Sequence, residues 1–187
     1  MGARNVGRYH APMAPRPGIA DLRGETLRWT QPHTFSQEYE LRSDPEVVAT
    51  LEFRNMFGSL ATGESADGCW TFKRLGFIST HVSIRACGST DNLAIFRNST
   101  WSGGGTLELG DGRRYLANSN FWQTRYQIRT EHETPLITFD QVGGLLHLSS
   151  HVEIHDPARS LHELPWMIML GWYLTVMQHN DSAAVIG

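Results

Sequence analysis

Apolar and polar residues alternate with a period of two through most of the chain. From about Thr26 onward, short segments rich in Val, Thr, Phe, Tyr and Trp are separated by Gly, Asp and Asn. This alternation is typical of half-buried antiparallel strands, and a helical period is absent before about Ser160. The spacing of the segments predicts about a dozen strands in an all-β sandwich or barrel.

Three hairpins are predicted from their turn residues. Their sequences are "EYELRSDPEVVATLEFR" around Asp44-Pro45, "SLATGESADGCWTFKR" around Asp67-Gly68 and "TLELGDGRRYLA" around Asp111-Gly112. Pro favours the corner of a tight turn, and Asp-Gly supplies the positive φ angles that hairpin turns need. Further strands are expected in "HVSIRACG", "LAIFRN", "TRYQIRT", "PLITFD" and "LLHLSSHVEI".

One long apolar run, "LPWMIMLGWYLTVM" over residues 164–177, differs from the strands. Its large side chains would point to every side of a helix, and such a helix is enclosed rather than lying on a surface. At roughly 1.5 Å per residue it would be about 21 Å long, whereas a membrane span needs about 20 apolar residues. We therefore expect a buried helix near residues 161–178, with Ser160 and Glu163 at capping-box spacing and Pro165 in its first turn. The alternatives are a tail anchor in a membrane and a segment that docks on a partner.

The strands and the helix fit together as a filled barrel. Twelve strands about 4.8 Å apart and tilted by about 40° would close into a barrel roughly 24 Å across. Side chains of the wall alone would leave that barrel hollow, and a helix about 10–12 Å wide would fill it. The expected fold is all-β with one C-terminal helix, a closed antiparallel barrel of about twelve strands enclosing a central hydrophobic helix. Residues 23–187 would form this single domain, and residues 1–22 would form a disordered N-terminal segment.

Composition narrows the function classes only a little. The 187 residues carry a net charge of -3, which gives no reason to expect a nucleic-acid partner. Cys69 and Cys87 are too few for a disulfide framework, and both lie in apparent strands, where we expect them to be core residues. No apolar targeting segment opens the chain, so we expect a cytoplasmic monomer, at most peripheral to a membrane.

Three stretches carry a resemblance to a known family. They are "FGSLATGESADGCWTFKRLGF" (57–77), "WSGGGTLELGDGRRYLANSNFW" (101–122) and "ELPWMIMLGWYLTVM" (163–177). Together with the arrangement of the elements over residues 27–184, they resemble the tubby-like superfamily, specifically its LURP-one-related branch, with phospholipid scramblases as distant kin. The resemblance implies a closed barrel around a C-terminal hydrophobic helix. Tubby itself binds phosphoinositide headgroups through a basic pocket, which has no residue-by-residue match here.

Lys73 and Arg74 are the candidate binding residues. Adjacent cations in a predicted strand would suit the phosphate of an anionic lipid headgroup, because guanidinium and ammonium groups form charge-assisted hydrogen bonds with it. Six further arginines could extend a basic patch: Arg85, Arg97, Arg113, Arg114, Arg125 and Arg129. The alternative is that these arginines are dispersed on the outer faces of strands and paired with acids.

"HLSSHVEIH" is the second candidate site. On a strand, His147, His151, Glu153 and His155 would share one face, and imidazoles with a carboxylate are plausible ligands for zinc or iron. Residues i and i+4 of a strand lie about 13 Å apart, however, so a metal site would also need ligands from adjacent strands. The alternative is that these side chains form the solvent-exposed face of an amphipathic strand. We favour that alternative and expect no bound metal.

The chain lacks the common catalytic motifs. It contains no G-x-S-x-G, H-E-x-x-H or paired C-x-x-C, and "WSGGGTLELG" is not followed by the Lys and helix of a phosphate loop. "NSNFWQTRY" is expected to pack Phe121, Trp122 and Tyr126 into the wall. We therefore expect no catalytic residues and no cofactor. The expected function is a non-enzymatic binding module for anionic lipid headgroups or a protein partner. The alternatives are an enzyme built on the histidine face and a lipocalin-like carrier, which would need an empty barrel.

Overall fold

The computed structural model of the chain describes residues 17–22, 24–33, 36–55, 58–76, 80–99, 104–120, 124–141 and 148–186, with only the backbone described over 183–186. These residues form twelve strands and one α-helix, α1, which spans Leu164–Ile186. The strands are β1 Leu27–Thr30, β2 Glu38–Ser43, β3 Glu46–Phe53, β4 Leu60–Ser65, β5 Gly68–Leu75, β6 His81–Ala86, β7 Ala94–Asn98, β8 Gly105–Leu109, β9 Arg114–Ser119, β10 Arg125–Thr130, β11 Pro135–Gln141 and β12 Ser150–Ile154.

The strands of the described residues close into a single antiparallel barrel. Each strand pairs with the one before it, and β1 closes the ring on β12, with Leu27 opposite Val152 and Trp29 opposite Ser150. A closed sheet leaves no strand edge open to another chain. The predicted barrel of about twelve strands is confirmed, and the three predicted hairpins are β2–β3, β4–β5 and β8–β9. In the last of these, Gly112 has a φ of 89°, a conformation that favours glycine.

The predicted central helix is also confirmed. Every residue from 163 to 177 is buried, and exposure returns at Asn180, where the sequence has become polar. α1 packs on β4, β5, β10 and β11, which are spread around the ring of strands. A helix enclosed on all sides needs an apolar surface on all sides, which explains why this run has no polar face. α1 continues to Ile186, beyond the predicted end at 178.

Stacked aromatic rings join α1 to the first strands of the barrel. Trp172 lies parallel to Trp29 of β1, with 5.8 Å between ring centroids, and meets Tyr39 of β2 edge-on. One residue further along the helix, Tyr173 stacks on Phe53 of β3 and Phe72 of β5. Offset and edge-on pairs of this kind contribute about 0.5–1.5 kcal/mol beyond the area they bury. The helix is therefore held in one rotational setting inside the barrel.

The N-terminal end of α1 is tied to the wall by an ion pair. Arg113, in the β8–β9 turn, donates hydrogen bonds to Glu163, to Asp111 and to the Tyr115 hydroxyl. The bonds to Glu163 and then to Asp111 raise the pKa of Arg113. Glu163 directly precedes the helix, and its carboxylate bonds Arg113. The predicted capping box is thus replaced by a bond to the barrel wall.

The residues before β1 belong partly to the packed domain. Ile19 lies within a short 3-10 turn, Ile19–Asp21, and is fully buried. Its N–H donates to Asp67 (2.8 Å), and Arg159 donates to the carbonyl of Leu22 (2.9 Å). Residues 17–22 of the N-terminal segment that was predicted to be disordered therefore pack on the barrel and its helix. Residues 1–16 lie outside the described residues.

Cys69 and Cys87 form a disulfide, with 5.4 Å between their Cα atoms. The expectation that both are core residues was wrong, because Cys69 is only half-buried and Cys87 is exposed. Strand alternation explains this: Trp70 and Phe72 point inward along β5, so Cys69 points outward. The β5–β6 register, with Trp70 opposite Ala86, brings Cys87 opposite Cys69. The cytoplasmic location stays a prediction.

Candidate functional site

A cavity of about 370 Å³ lies beside the last turns of α1, between the helix and the barrel wall. Arg74 of β5, Val82 of β6 and Tyr126 of β10 contribute from the wall, and Asn98 contributes from the end of β7. From the helix come residues at the i, i+3, i+4 and i+7 spacing of one helical face, namely Leu174, Met177, Gln178 and Asp181. Ser99, Gly104, Tyr173 and Ser182 complete the lining.

The position of Arg74 follows from strand alternation near the end of β5. Phe72 is fully buried and points inward, Lys73 is exposed on the outer face, and Arg74 turns back toward the helix. Its backbone N–H donates to the hydroxyl of Tyr173 (3.1 Å), which in turn donates to the carbonyl of Ser59 (2.6 Å). The buried tyrosine thus fixes the backbone of Arg74 and leaves the guanidinium at the rim of the cavity.

Arg74 forms an ion pair with Asp181 in the lining of the cavity, with 2.6 Å between Nη1 and Oδ2. The side chain of Arg74 is 30% exposed and that of Asp181 is 56% exposed. Ion pairs that water reaches this easily contribute about 0–1 kcal/mol to stability. The pair therefore contributes little to stability.

The wall of the cavity is apolar below this rim. Val82 and Met177 are buried, and Tyr126 is only 3% exposed. No described residue hydrogen-bonds the Tyr126 hydroxyl, and burial raises its pKa, so the phenol keeps its proton. Because no described residue bonds this hydroxyl, it is available as a neutral hydrogen-bond donor. The cavity thus combines an apolar wall, a neutral donor and a cation at the rim.

The structure separates the two predicted binding residues. Lys73 lies on the outer face of β5, opposite Leu60 of β4 and Ser83 of β6, whereas Arg74 lines the cavity. Successive residues of a strand point to opposite faces, so a cationic pair at adjacent positions does not form one patch. Only Arg74 belongs to the candidate site.

Several other predicted arginines are paired with acids on the outer wall. Arg97 bonds Glu108 (2.8 Å) and lowers its pKa, and Arg125 bonds Asp140 (2.6 Å), which raises the pKa of Arg125. Arg129 pairs with Glu133 in the same way. These residues match the alternative of dispersed, paired positions rather than a continuous basic patch.

The histidine face is an outer surface of the barrel in its described part. His151 and Glu153 are exposed on β12, beside a groove of about 470 Å³. His155 instead bonds the hydroxyl of Thr138 (2.9 Å). His147 lies outside the described residues, as do Phe121 and Trp122, and among the described ones no three His, Cys, Asp or Glu side chains are grouped to hold a metal.

The fold defines a class of protein: a closed barrel that is filled by its own C-terminal helix. The candidate site is the cavity beside the last turns of that helix. Among the described residues, α1 and the short 3-10 turns all fall short of the combined length and hydrophobicity that a membrane-spanning helix requires. No family model, curated protein or solved structure matches the chain. The candidate site is therefore inferred from the geometry of the cavity and of the residues that line it.

Proposed function

We propose that the protein is a non-enzymatic binding module that takes the phosphate of an anionic lipid headgroup at Arg74. The observation that carries the proposal is the cavity beside α1, where the guanidinium stands at the rim above a wall formed by Val82, Leu174 and Met177. Pockets that bind small amphipathic molecules have this composition, mostly apolar with a few placed polar groups. The resemblance to the tubby-like superfamily supports the same ligand class.

The chemistry of each part suits such a ligand. An arginine fork binds phosphate oxygens through two parallel, charge-assisted hydrogen bonds. The hydroxyl of Tyr126 adds a neutral donor, and the apolar wall would contact the carbon skeleton next to the phosphate. Because the net charge is -3, the average surface repels anions, so binding has to depend on this local arrangement.

A ligand enclosed along the barrel axis has no room in this fold. The axis is filled by α1, whose residues from 163 to 177 are all buried. The carrier alternative required an empty barrel. A bound molecule would therefore sit at the rim, where a headgroup can be reached from a membrane surface without extraction of the whole lipid.

Co-sedimentation with liposomes tests the proposal. The wild-type protein should sediment with phosphatidylglycerol vesicles at low salt and remain in solution with phosphatidylcholine vesicles. Binding should weaken as salt shortens the screening length to about 8 Å at physiological ionic strength. Failure to bind any anionic vesicle at low salt would remove the lipid proposal and leave a protein partner as the expected ligand.

Arg74 and Lys73 provide a matched pair of variants. Both substitutions remove one positive charge from neighbouring positions of β5, but only Arg74 lines the cavity. R74A should abolish vesicle binding, and K73A should leave it nearly unchanged. Equal losses would show a general attraction to the surface and contradict the assigned site. Thermal unfolding controls for folding, since loss of the partly exposed Arg74–Asp181 pair should cost about 1 kcal/mol or less.

A further inference from the structure

The last turns of α1 form one side of the cavity rim. Gln178, Asp181 and Ser182 line the cavity from the helix, and Arg74 and Asn98 line it from the wall. The buried run of the helix ends at Met177, so these polar residues are the first to leave the barrel. A molecule bound at Arg74 would therefore lie next to this segment.

Asp181 already places an anion on Arg74. Its Oδ2 lies 2.6 Å from Nη1 of the guanidinium, the distance of a charge-assisted hydrogen bond. The two residues are 107 positions apart in the chain, so the contact is made by the fold and not by local sequence. The carboxylate oxygen thus occupies a hydrogen-bond donor of Arg74 that a phosphate oxygen could otherwise accept from.

We infer that Asp181 is an internal occupant of the anion site, and that a ligand phosphate binds Arg74 by displacing it. The inference rests on the proposed function and adds its regulation: a ligand anion has to exchange with the Asp181 carboxylate to bind Arg74. A ligand that must displace a competing group binds more weakly by the factor that the competing contact contributes. Because the pair is partly exposed, that factor is small, about two- to fivefold.

D181N tests the exchange, since the amide keeps the size of the side chain and removes its charge. Affinity for phosphatidylglycerol vesicles should rise about two- to fivefold relative to wild type, and R74A should cancel the gain in the double variant. D91N is the matched control. It removes the same charge, but Asp91 is exposed in the turn between β6 and β7, at the end of these strands away from Val82 and Asn98. It should leave the affinity nearly unchanged.

The possible outcomes separate the inference from the proposed function. Tighter binding by D181N but not by D91N supports the exchange. Equal or weaker binding by D181N, while the wild type still binds through Arg74, overturns the exchange and leaves the proposed function standing. Absence of binding by both wild type and D181N overturns the proposed function itself. If D181N and D91N gain the same affinity for the vesicles, the gain comes from the change in net charge, and the exchange is also overturned.

A soluble competitor distinguishes the source of the phosphate. Inorganic phosphate added to D181N bound on vesicles should release the protein if the phosphate group alone is recognised. Retention on the vesicles would show that the lipid surface contributes as well. Both results support exchange at Arg74, provided that R74A/D181N fails to bind in the same assay.

Discussion

Gly171 of α1 lies directly against the ring of Phe139 in β11, so close that a Cβ on Gly171 would overlap the ring. A second contact of this kind is found on β4, where a Cβ on Gly63 would lie 2.5 Å from the sulfur of Met169. The helix thus approaches the barrel wall through a glycine of its own on one side and a glycine of the wall on another. Packing at this density leaves no space for an added methyl group.

G171A should destabilise the protein although alanine is the better helix former. Helix propensity alone would favour alanine by about 1 kcal/mol, whereas overpacking against Phe139 costs about 1–3 kcal/mol. We expect a net loss in the free energy of unfolding, measured by urea denaturation. In the control G110A, the new Cβ would meet only the carbonyl of Leu93 at 3.9 Å, and stability should hardly change. A stabilised G171A would contradict the close fit of helix and wall.

L170D should prevent folding, because Leu170 is 1% exposed in the centre of the helix. A buried charge without a partner costs several kcal/mol, a large part of the stability of a domain. The matched control is L93D, since Leu93 is 41% exposed. Circular dichroism and thermal unfolding should show a cooperative transition for L93D and none for L170D. A folded L170D would mean that the helix does not fill the barrel.

The fold could be predicted because two simple signals agree over the whole chain. Alternation with turn residues such as Asp44-Pro45 marked the hairpins, and an apolar run without a polar face marked the enclosed helix. β1 was missed as a separate strand, because four residues, Leu27–Thr30, are too short to show a period. The disulfide was missed because pairing of cysteines 18 positions apart depends on the β5–β6 register, which one sequence does not reveal.

The candidate site was predicted only in part. Arg74 was named, but as one half of a pair with Lys73, and alternation along β5 divides the two. Asp181 and Tyr173 were not named, since their contacts with Arg74 join residues about a hundred positions apart. One usable signal was present in the sequence: Leu174, Met177, Gln178 and Asp181 share a helical face that changes from apolar to polar.

Removal of the disulfide should lower stability without loss of the fold. The bond closes a loop of 18 residues in the unfolded chain, which corresponds to roughly 3 kcal/mol in the chain-entropy model. C69S/C87S should therefore unfold at lower urea concentration than the oxidised wild type. A reducing agent should bring the wild type to the level of the double variant and leave the variant unchanged. If the cysteines of the unfolded, unreduced wild-type protein react with an alkylating agent, the disulfide is contradicted.

Alkaline pH should unfold the barrel through its buried tyrosines. Burial raises the pKa of Tyr39 to about 12 and also raises that of Tyr126 and Tyr173, against about 10 in an unfolded chain. Above pH 10 the folded state therefore holds more protons than the unfolded state, and stability falls as pH rises. Below about pH 9 these groups should have no effect.

Y39F isolates the contribution of one tyrosine. Two pKa units correspond to about 3 kcal/mol, so removal of this hydroxyl should move the alkaline transition to higher pH. At neutral pH the variant should match wild type, because no described residue bonds the Tyr39 hydroxyl. Y173F should differ, since the Tyr173 hydroxyl donates to Ser59, and its loss weakens the fold at every pH. Unfolding followed against pH by fluorescence checks both variants, and an unchanged alkaline transition in Y39F would contradict the assignment.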